Sequence, residues 1–418
     1  MAEGMILDGK KVANEIYDKL KVIIENNHLK GDMKLVIITT GNEYASKVYV
    51  RSKVSKCNEL GIVPFTYHYD FLNDDSLRSI FNKLKSLKYP PFIIQLPITG
   101  YVSRSHIYDS LLKYMIDDGY EVCAPAMIRN MDVDGLISPD NLLYLNDPEY
   151  LYGMRSPDLL PNSNLPCTPL GIMTLLDYYK YFDKDNDNKR KAVILGRSDL
   201  VGKPLEKMLM DKDFTVTVCH SKTAFADMMN YIDNADIIIS AMGNTDILTY
   251  AYLHYTKDSL SEKYLVDVGI NRDEKGNLRG DCDPNILPWF KAYTPVPGGV
   301  GPMTVAMLMC NVVKYYQASY ESNYAGAIPY QYPSKYIPKF MEIYRWNIMY
   351  KNLVDQICAK YKVTIPVISE ITGISVYRLR KIRNGDKATK LENNMLHLCL
   401  LSNLFKRMAV LHHIPLKD

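Results

Sequence analysis

Short β-branched runs separated by helix-like segments constrain this chain more than any other feature. Between Lys191 and Ile270 stand KAVILG, FTVTVCHS, ADIIISAMG and YLVDVGI, with helical segments between the early members. A similar alternation precedes them. GKKVANEIYDKLKVIIENN has helical apolar spacing, MKLVIITTGN reads as a buried strand, and EYASKVYVRSKVSKCNEL reads as a helix stopped at Gly61. VPFTYHYDF, DDSLRSIFNKLKSL and PFIIQLPI continue as strand, acid-capped helix and strand. Parallel strands need long crossovers, and helices of this kind supply them. The fold class is therefore α/β, in two parts, with polar stretches such as FDKDNDNKRK before Ala192 between them.

After Tyr315 the character changes. YYQASYESNYAGAIPYQYPSKYIP holds no sustained apolar period and reads as a linker to an appended module. The formal net charge of +3 gives no global field pointing to nucleic acid, so any such signal must be local. The eight cysteines form no CxxC pair, and neither a leader nor a long apolar run is present. These features predict a reduced, cytoplasmic protein with no membrane contact.

Two groups of residues suggest chemistry. AVILGRSDLVGKP lies where a dinucleotide-binding fold turns from its first strand into its first helix. Gly196, Ser198 and Gly202 replace the usual three glycines, yet Gly196 can make the turn and the helix start can offer N–H groups to a pyrophosphate. The next strand ends at CHSKT, where a fold of the NAD type would place an acid for the ribose hydroxyls. Ser221 and Lys222 stand there instead, with Arg197 near, and they suit a ribose phosphate; ordinary solvated charges are the other reading. In the first series, Tyr49 and Lys53 are four apart on one helix face. Gln95 is a lone amide ending an apolar strand, and Asp132 and Asp134 precede a glycine turn. Lys, Tyr, Gln and Asp together, with no metal-ligand spacing, suit proton transfer and carbonyl or iminium polarisation. Finally, TPVPGGVGPMTVAML, from Thr294 to Leu308, is a stiff Pro-Gly loop running into a helix, with Pro302 expected at its first position.

PFIIQLPI, DVDGL, PCTPLGIM, AVILGRSDLVGKP, VTVCHSKT, LVDVGIN with GDCD, and TPVPGGVGPMTVAML occur in the order of one family. Over residues 5–315 the chain closely resembles bifunctional methylenetetrahydrofolate dehydrogenase/methenyltetrahydrofolate cyclohydrolase. The resemblance implies a folate-binding catalytic α/β domain over 1–168, completed by the loop and helix at 295–314. A Rossmann-like NADP-binding domain would cover 169–294. Residues 315–337 then form the linker, and 338–418 a small extra all-α domain. NADP, with NAD as the alternative, and tetrahydrofolate as one-carbon carrier are implied, without a metal. The expected activity is oxidation of methylenetetrahydrofolate to methenyltetrahydrofolate and its hydrolysis to formyltetrahydrofolate. The family commonly forms homodimers.

Carried over residue by residue, Lys53 is the catalytic lysine, Tyr49 stacks on the folate, Gln95 hydrogen-bonds Lys53, and Asp134 anchors the pterin. Leu96, Pro97, Pro297, Gly298 and Gly299 would line the folate cleft. Arg197, Ser198 and Ser221 would hold the ribose phosphate. Gly196, Val201, Gly202, His220, Gly243, Gly269, Ile270 and Thr304 would complete the cofactor site. Burial of Lys53 beside an amide rather than an acid is expected to make its amine a usable proton relay. Two departures stand out: Met131 replaces the usual lysine before DVDG, and Leu143 replaces a frequent glycine. The segments between Pro97 and Asp132 and between Asn141 and Pro166 are longer than usual.

The last module carries VISEITGISVYRLRKIRNGDKATK. Gly373 and Ser375 have the form of a helix-turn-helix corner, with Leu379 and Ile382 packing inward. Ser375, Tyr377, Arg378, Lys381 and Arg383 are the candidate contacts to duplex DNA; a helical bundle that docks a protein partner or dimerises is the other reading. Two further alternatives remain for the whole chain: a folate- and NADP-sensing DNA-binding regulator, and a dehydrogenase with little cyclohydrolase activity.

Overall fold

The structure is a computed structural model. It describes residues 4–41, 44–120, 124–137, 164–182, 190–245, 248, 260–273 and 275–320, together with positions 368 and 379. The chain divides into two compact units, one holding residues 1–320 and 325–330, the other 321–324 and 331–418. In the second unit the described Ile368 and Leu379 are helical and buried. The candidate DNA contacts, the other residues of the expected helix-turn-helix and Leu143 lie outside the described residues.

The first unit contains the two expected α/β parts. In the first, β2 (Lys34–Thr40) is central, flanked by β3 (Val63–Tyr69) and β4 (Phe92–Ile94), all parallel. Crossovers α2 (Tyr44–Glu59) and α3 (Asp74–Ser86) connect them, followed by α4 (Arg104–Asp117) and α5 (Ala124–Met131). The start of α3 is fixed by a capping box: Asn73 Oδ1 accepts from the Ser76 amide and Ser76 Oγ from the Asn73 amide. Such a cap contributes about 1 kcal/mol. Met131, at the position of the family's lysine, is buried in the apolar cluster formed with Phe92, Ile107 and Ile128.

The second part is a six-stranded sheet in the order β1 (Met5–Ile6), β11 (Ala292–Tyr293), β8 (Tyr264–Asp267), β7 (Ile237–Ser240), β5 (Lys191–Leu195), β6 (Thr215–Cys219). All of its neighbouring pairs are parallel. Helices α7 (Gly202–Met210) and α8 (Phe225–Asp233) are the early crossovers, and β9 (Asn271–Arg272) with β10 (Leu278–Arg279) forms a small hairpin. Two details differ from the sequence reading. Residues at the start of the expected catalytic domain supply β1, an edge strand of the other sheet, because Met5 and Ile6 pair with Ala292 and Tyr293. The last helix, α9 (Val300–Tyr320), begins two residues before Pro302 and runs through the first positions of the expected linker. Its end is pinned because Tyr315 Oη donates to the Tyr89 carbonyl and Tyr316 Oη to that of Lys34 (3.0 Å).

Helix α9 also joins the two parts. It packs on α1 (Gly9–Asn26) and α6 (Cys167–Tyr178), and Gly171 makes the latter contact close: a Cβ there would stand 3.0 Å from Met303 Cβ. One apolar core therefore runs from Leu35 and Ile37 on β2, through Met303, Leu308 and Val312 on α9, to Ile194 and Ile239 on the second sheet. Each such fully buried side chain contributes roughly 1.5–3 kcal/mol. The five described cysteines are free and buried. Among the described residues no helix is long and apolar enough to cross a membrane.

Candidate active site

Candidate residues gather at the C-terminal ends of the first sheet's strands. Gln95 follows β4 directly, and its amide N–H is tied to the Ile38 carbonyl at 2.8 Å. Its Oε1 accepts from Lys53 Nζ at 3.0 Å, and its Nε2 donates to the Leu96 carbonyl at 3.1 Å. Lys53 comes from α2 and is 5% exposed, so its amine is not the solvated charge that lysine spacing alone would suggest. Asp134 Oδ2 lies 3.9 Å from the same Nζ. This corrects the expected surroundings of Lys53: an acid as well as an amide is within reach. The amine thus has a carboxylate with which to exchange a proton.

The DVDG turn divides its two acids. Asp132, 1% exposed, accepts from the backbone amides of Leu136 (3.3 Å) and Ile137 (2.8 Å), so it builds the turn that aims Asp134. Gly135 has φ 69° and a Cβ there would sit 2.4 Å from the Asn164 carbonyl oxygen, so a side chain is excluded twice over. Asp132→Ala leaves the Ile137 amide buried without its acceptor. It should lower stability by about 1–2 kcal/mol, and a denaturant titration of the full chain measures this. Sequence reading missed two supports of the turn, Asn311 and Cys167. Asn311 Nδ2 on α9 donates to the Val133 carbonyl at 2.9 Å, and Cys167 Sγ lies against the same oxygen at 3.5 Å. Burial, reinforced by the charge of Asp134, holds the Cys167 thiol well above its ordinary range, so it stays protonated and unreactive.

Tyr49, one turn before Lys53, is half-buried. Burial pushes its phenol up, against an opposing pull from Arg272 on the β9–β10 hairpin, so it remains a neutral ring at physiological pH. Leu96 and Pro97 follow Gln95, and Thr40 holds this loop: its Oγ1 donates to the Pro97 carbonyl at 3.1 Å and accepts from the Thr99 amide at 2.8 Å. Thr40 too was missed, because one threonine ending a strand carries no distinguishing signal. In the Pro-Gly loop Pro297 is exposed and Gly298 has φ 118°. The loop is held to α1: the Gly298 carbonyl accepts from the Lys10 amide at 2.8 Å, and a Cβ on Gly9 would lie 1.9 Å from the Gly299 carbonyl oxygen.

In the second sheet β5 lies between β6 and β7, so the chain reverses its order of addition at β5–β7. Ligands of open α/β sheets bind beyond the strand ends at such a switch point. Gly196 takes φ 123° in the turn leaving β5, where a Cβ would be 2.4 Å from the Ala241 carbonyl oxygen. At Gly202 a Cβ would be 2.2 Å from the Gly196 carbonyl oxygen. Val201 is the N-cap of α7, and Ser198 Oγ accepts from its amide at 3.1 Å. Bare backbone and a helix start thus meet where a pyrophosphate would lie, and the residues fit a dinucleotide.

Arg197, Ser221 and Lys222 are exposed around this turn, and His220 Nδ1 accepts from the Lys222 amide at 3.1 Å. Gly243, on the loop leaving β7, and Ile270, beyond β8, are exposed. Gly269 is buried with its amide on Asp267 Oδ1 (2.9 Å), so its bareness serves the protein's own carboxylates. Thr304 Oγ1 is engaged with Thr168 Oγ1 (3.1 Å) and the Val300 carbonyl (3.2 Å) between α6 and α9.

The family model described as tetrahydrofolate dehydrogenase/cyclohydrolase, catalytic domain, matches residues 7–114. That described as tetrahydrofolate dehydrogenase/cyclohydrolase, NAD(P)-binding domain, matches residues 166–320. The interval between the two matches contains much of the sequence that reads as longer than usual. Over 316 residues, the chain is 36% identical to the bifunctional protein FolD of Campylobacter jejuni, covering 74% of this chain and 97% of that protein. It is 35% identical over 317 residues to the bifunctional protein FolD of Staphylococcus saprophyticus, covering 74% and 95%. The crystal structure of bifunctional FolD from C. jejuni matches with a TM-score of 0.60 at 35% identity, covering 75% of this chain and 98% of that one. The bifunctional 5,10-methylenetetrahydrofolate dehydrogenase/cyclohydrolase of Thermoplasma acidophilum matches with a TM-score of 0.58 at 27% identity, covering 75% and 98%.

Proposed function

Because the chain belongs to the tetrahydrofolate dehydrogenase/cyclohydrolase family, we propose that it oxidises methylenetetrahydrofolate with NADP and hydrolyses the resulting methenyltetrahydrofolate to formyltetrahydrofolate. The observation that carries this reading is the buried Lys53 amine, 3.0 Å from Gln95 Oε1 and 3.9 Å from Asp134 Oδ2. Loss of a hydride from the bridging methylene leaves a methenyl cation. NADP, when bound, accepts that hydride.

The second step needs proton management. A water oxygen adds to the cationic carbon and gives up a proton, then one carbon–nitrogen bond opens and the released nitrogen takes a proton. Lys53 and Asp134 are placed to carry the proton between those positions, and Gln95 keeps the amine aimed. Tyr49 offers its neutral ring to the pterin. Arg197, Ser221 and Lys222 form the ribose-phosphate side of the cofactor site, with no acid at the end of β6 to favour free ribose hydroxyls. The homodimer implied by the family resemblance belongs to the same proposal, and sedimentation velocity of the full chain reads it.

The test is one assay on purified full-length protein with methylenetetrahydrofolate and either NADP or NAD. Reduced-nicotinamide absorbance should rise faster with NADP, while methenyl absorbance stays low because hydrolysis removes it. Steady accumulation of the methenyl form would mean a dehydrogenase without useful cyclohydrolase turnover. No reduction of either dinucleotide would reject the reading.

A further inference from the structure

One buried carboxylate near the cofactor crevice has no part in the chemistry above. Asp281 follows β10 and is fully buried. Its Oδ2 accepts from Ser240 Oγ at 3.0 Å and from the backbone amides of Met242 (2.9 Å) and Gly243 (3.2 Å). Its Oδ1 accepts from the Asn244 amide at 3.1 Å and from Asn271 Nδ2 at 2.9 Å. Three consecutive amides of the loop leaving β7 are therefore gathered on a single side chain. Loops at the ends of parallel strands otherwise turn such amides to water or ligand.

Asp281 is itself held. Asp267, ending β8, accepts the amides of Gly269 (2.9 Å), Asp281 (3.0 Å) and Cys282 (3.0 Å). The packing tolerates nothing larger than hydrogen at two glycines. A Cβ on Gly269 would lie 2.1 Å from Asp281 Oδ1, and one on Gly280 would lie 1.9 Å from Asp267 Oδ2. Hydrogen bonds to a charged acceptor are the strong ones, and each amide left without its acceptor carries a desolvation cost. The carboxylate thus ties the loop down at three successive amides. That loop flanks the β5–β7 switch point, since the Ala241 amide donates to the Leu195 carbonyl at 2.8 Å.

We propose that Asp281 is a positioning residue for the hydride-transfer step: through the amides of residues 242–244 it fixes the wall against which the nicotinamide end of the dinucleotide is set. The inference rests on the folate reading given above. It separates the two activities, because only the oxidation needs the dinucleotide, whereas the proton transfers of hydrolysis fall to Lys53, Gln95 and Asp134. A looser wall lowers dehydrogenase turnover and leaves methenyl hydrolysis intact.

The experiment is Asp281→Asn in the full chain, which keeps the shape but turns an N–H donor toward groups that need an acceptor. Dehydrogenase kcat/KM for NADP, methenyl hydrolysis without dinucleotide, and the thermal midpoint with and without NADP are measured. Dehydrogenase kcat/KM should fall about tenfold and hydrolysis stay within about twofold, with a smaller NADP-induced rise in midpoint. Equal loss of both activities would show a scaffold role only, and no loss would show no role; either overturns the inference. If the variant does not fold, Ser240→Ala, which removes one donor, should give the same split in smaller degree, and an unsplit effect there overturns it equally. A wild-type chain that reduces no dinucleotide would overturn the folate reading, and this inference with it.

Discussion

Replacing Lys53 by Met should abolish hydrolysis of methenyltetrahydrofolate while leaving dinucleotide binding nearly unchanged. Methionine has a similar length and no charge, so it can take the buried place of the lysine stem but offers nothing to protonate. The cost to the fold is limited to Gln95 Oε1, which loses its donor at 3.0 Å, and to Asp134, which loses the cation 3.9 Å away. Positioned acid–base groups contribute on the order of 10²–10⁴ in rate, so the loss should be of that size. Decay of methenyl absorbance under enzyme excess reads the chemical step. Calorimetric titration with NADP reads the cofactor site, whose candidate residues lie on the other sheet. A wild-type hydrolysis rate in this variant would remove Lys53 from the mechanism; lost dinucleotide binding would mean the substitution had disturbed more than the proton relay.

What could be read from the residues divides along the range of the interactions. The helices and strands that can be read in advance follow from apolar period and turn residues, since those signals are local: β2 is a β-branched run and α3 carries its own cap. Lys53, Gln95 and Asp134 were identifiable one by one, through a resemblance to known motifs rather than any spacing between them. Their mutual geometry was not, because Asp134 reaches Lys53 from a turn far along the chain. Strand β1 is two residues long, too short for any period, so its membership of the other sheet depends wholly on pairing with Ala292 and Tyr293. Nothing in the local sequence marks Gly9, whose missing side chain makes room for the Gly299 carbonyl oxygen, far away in sequence. Asp267 and Asp281 show the same limit. A carboxylate that serves backbone amides looks, in sequence, like any acid in a loop.

Arg197→Ala should raise the apparent dissociation constant for NADP far more than that for NAD. Arg197 lies in the turn between β5 and α7, exposed, and among the described residues no carboxylate pairs with it. Its neighbours differ: Asp199 is already engaged by Arg104 at 3.0 Å and Lys203 at 2.6 Å. The turn therefore spends its one acid on two other cations and leaves Arg197 available to an anion. At the end of β6, Ser221 and Lys222 stand exposed where an acid would repel a phosphate. A guanidinium on phosphate is a charge-assisted contact, and its loss should cost about 1.5–3 kcal/mol, or roughly 10- to 150-fold in affinity. NAD lacks that phosphate, so its constant should move by no more than about twofold, the scale of an exposed charge change. Lys222 could take over part of the contact, which would bring the NADP effect to the lower end of that range and make Arg197→Ala with Lys222→Ala more than additive. Both constants follow from fluorescence titration at fixed moderate salt, because screening weakens an exposed charge pair. Equal weakening of NADP and NAD would show that Arg197 supports the turn itself rather than gripping the ribose phosphate.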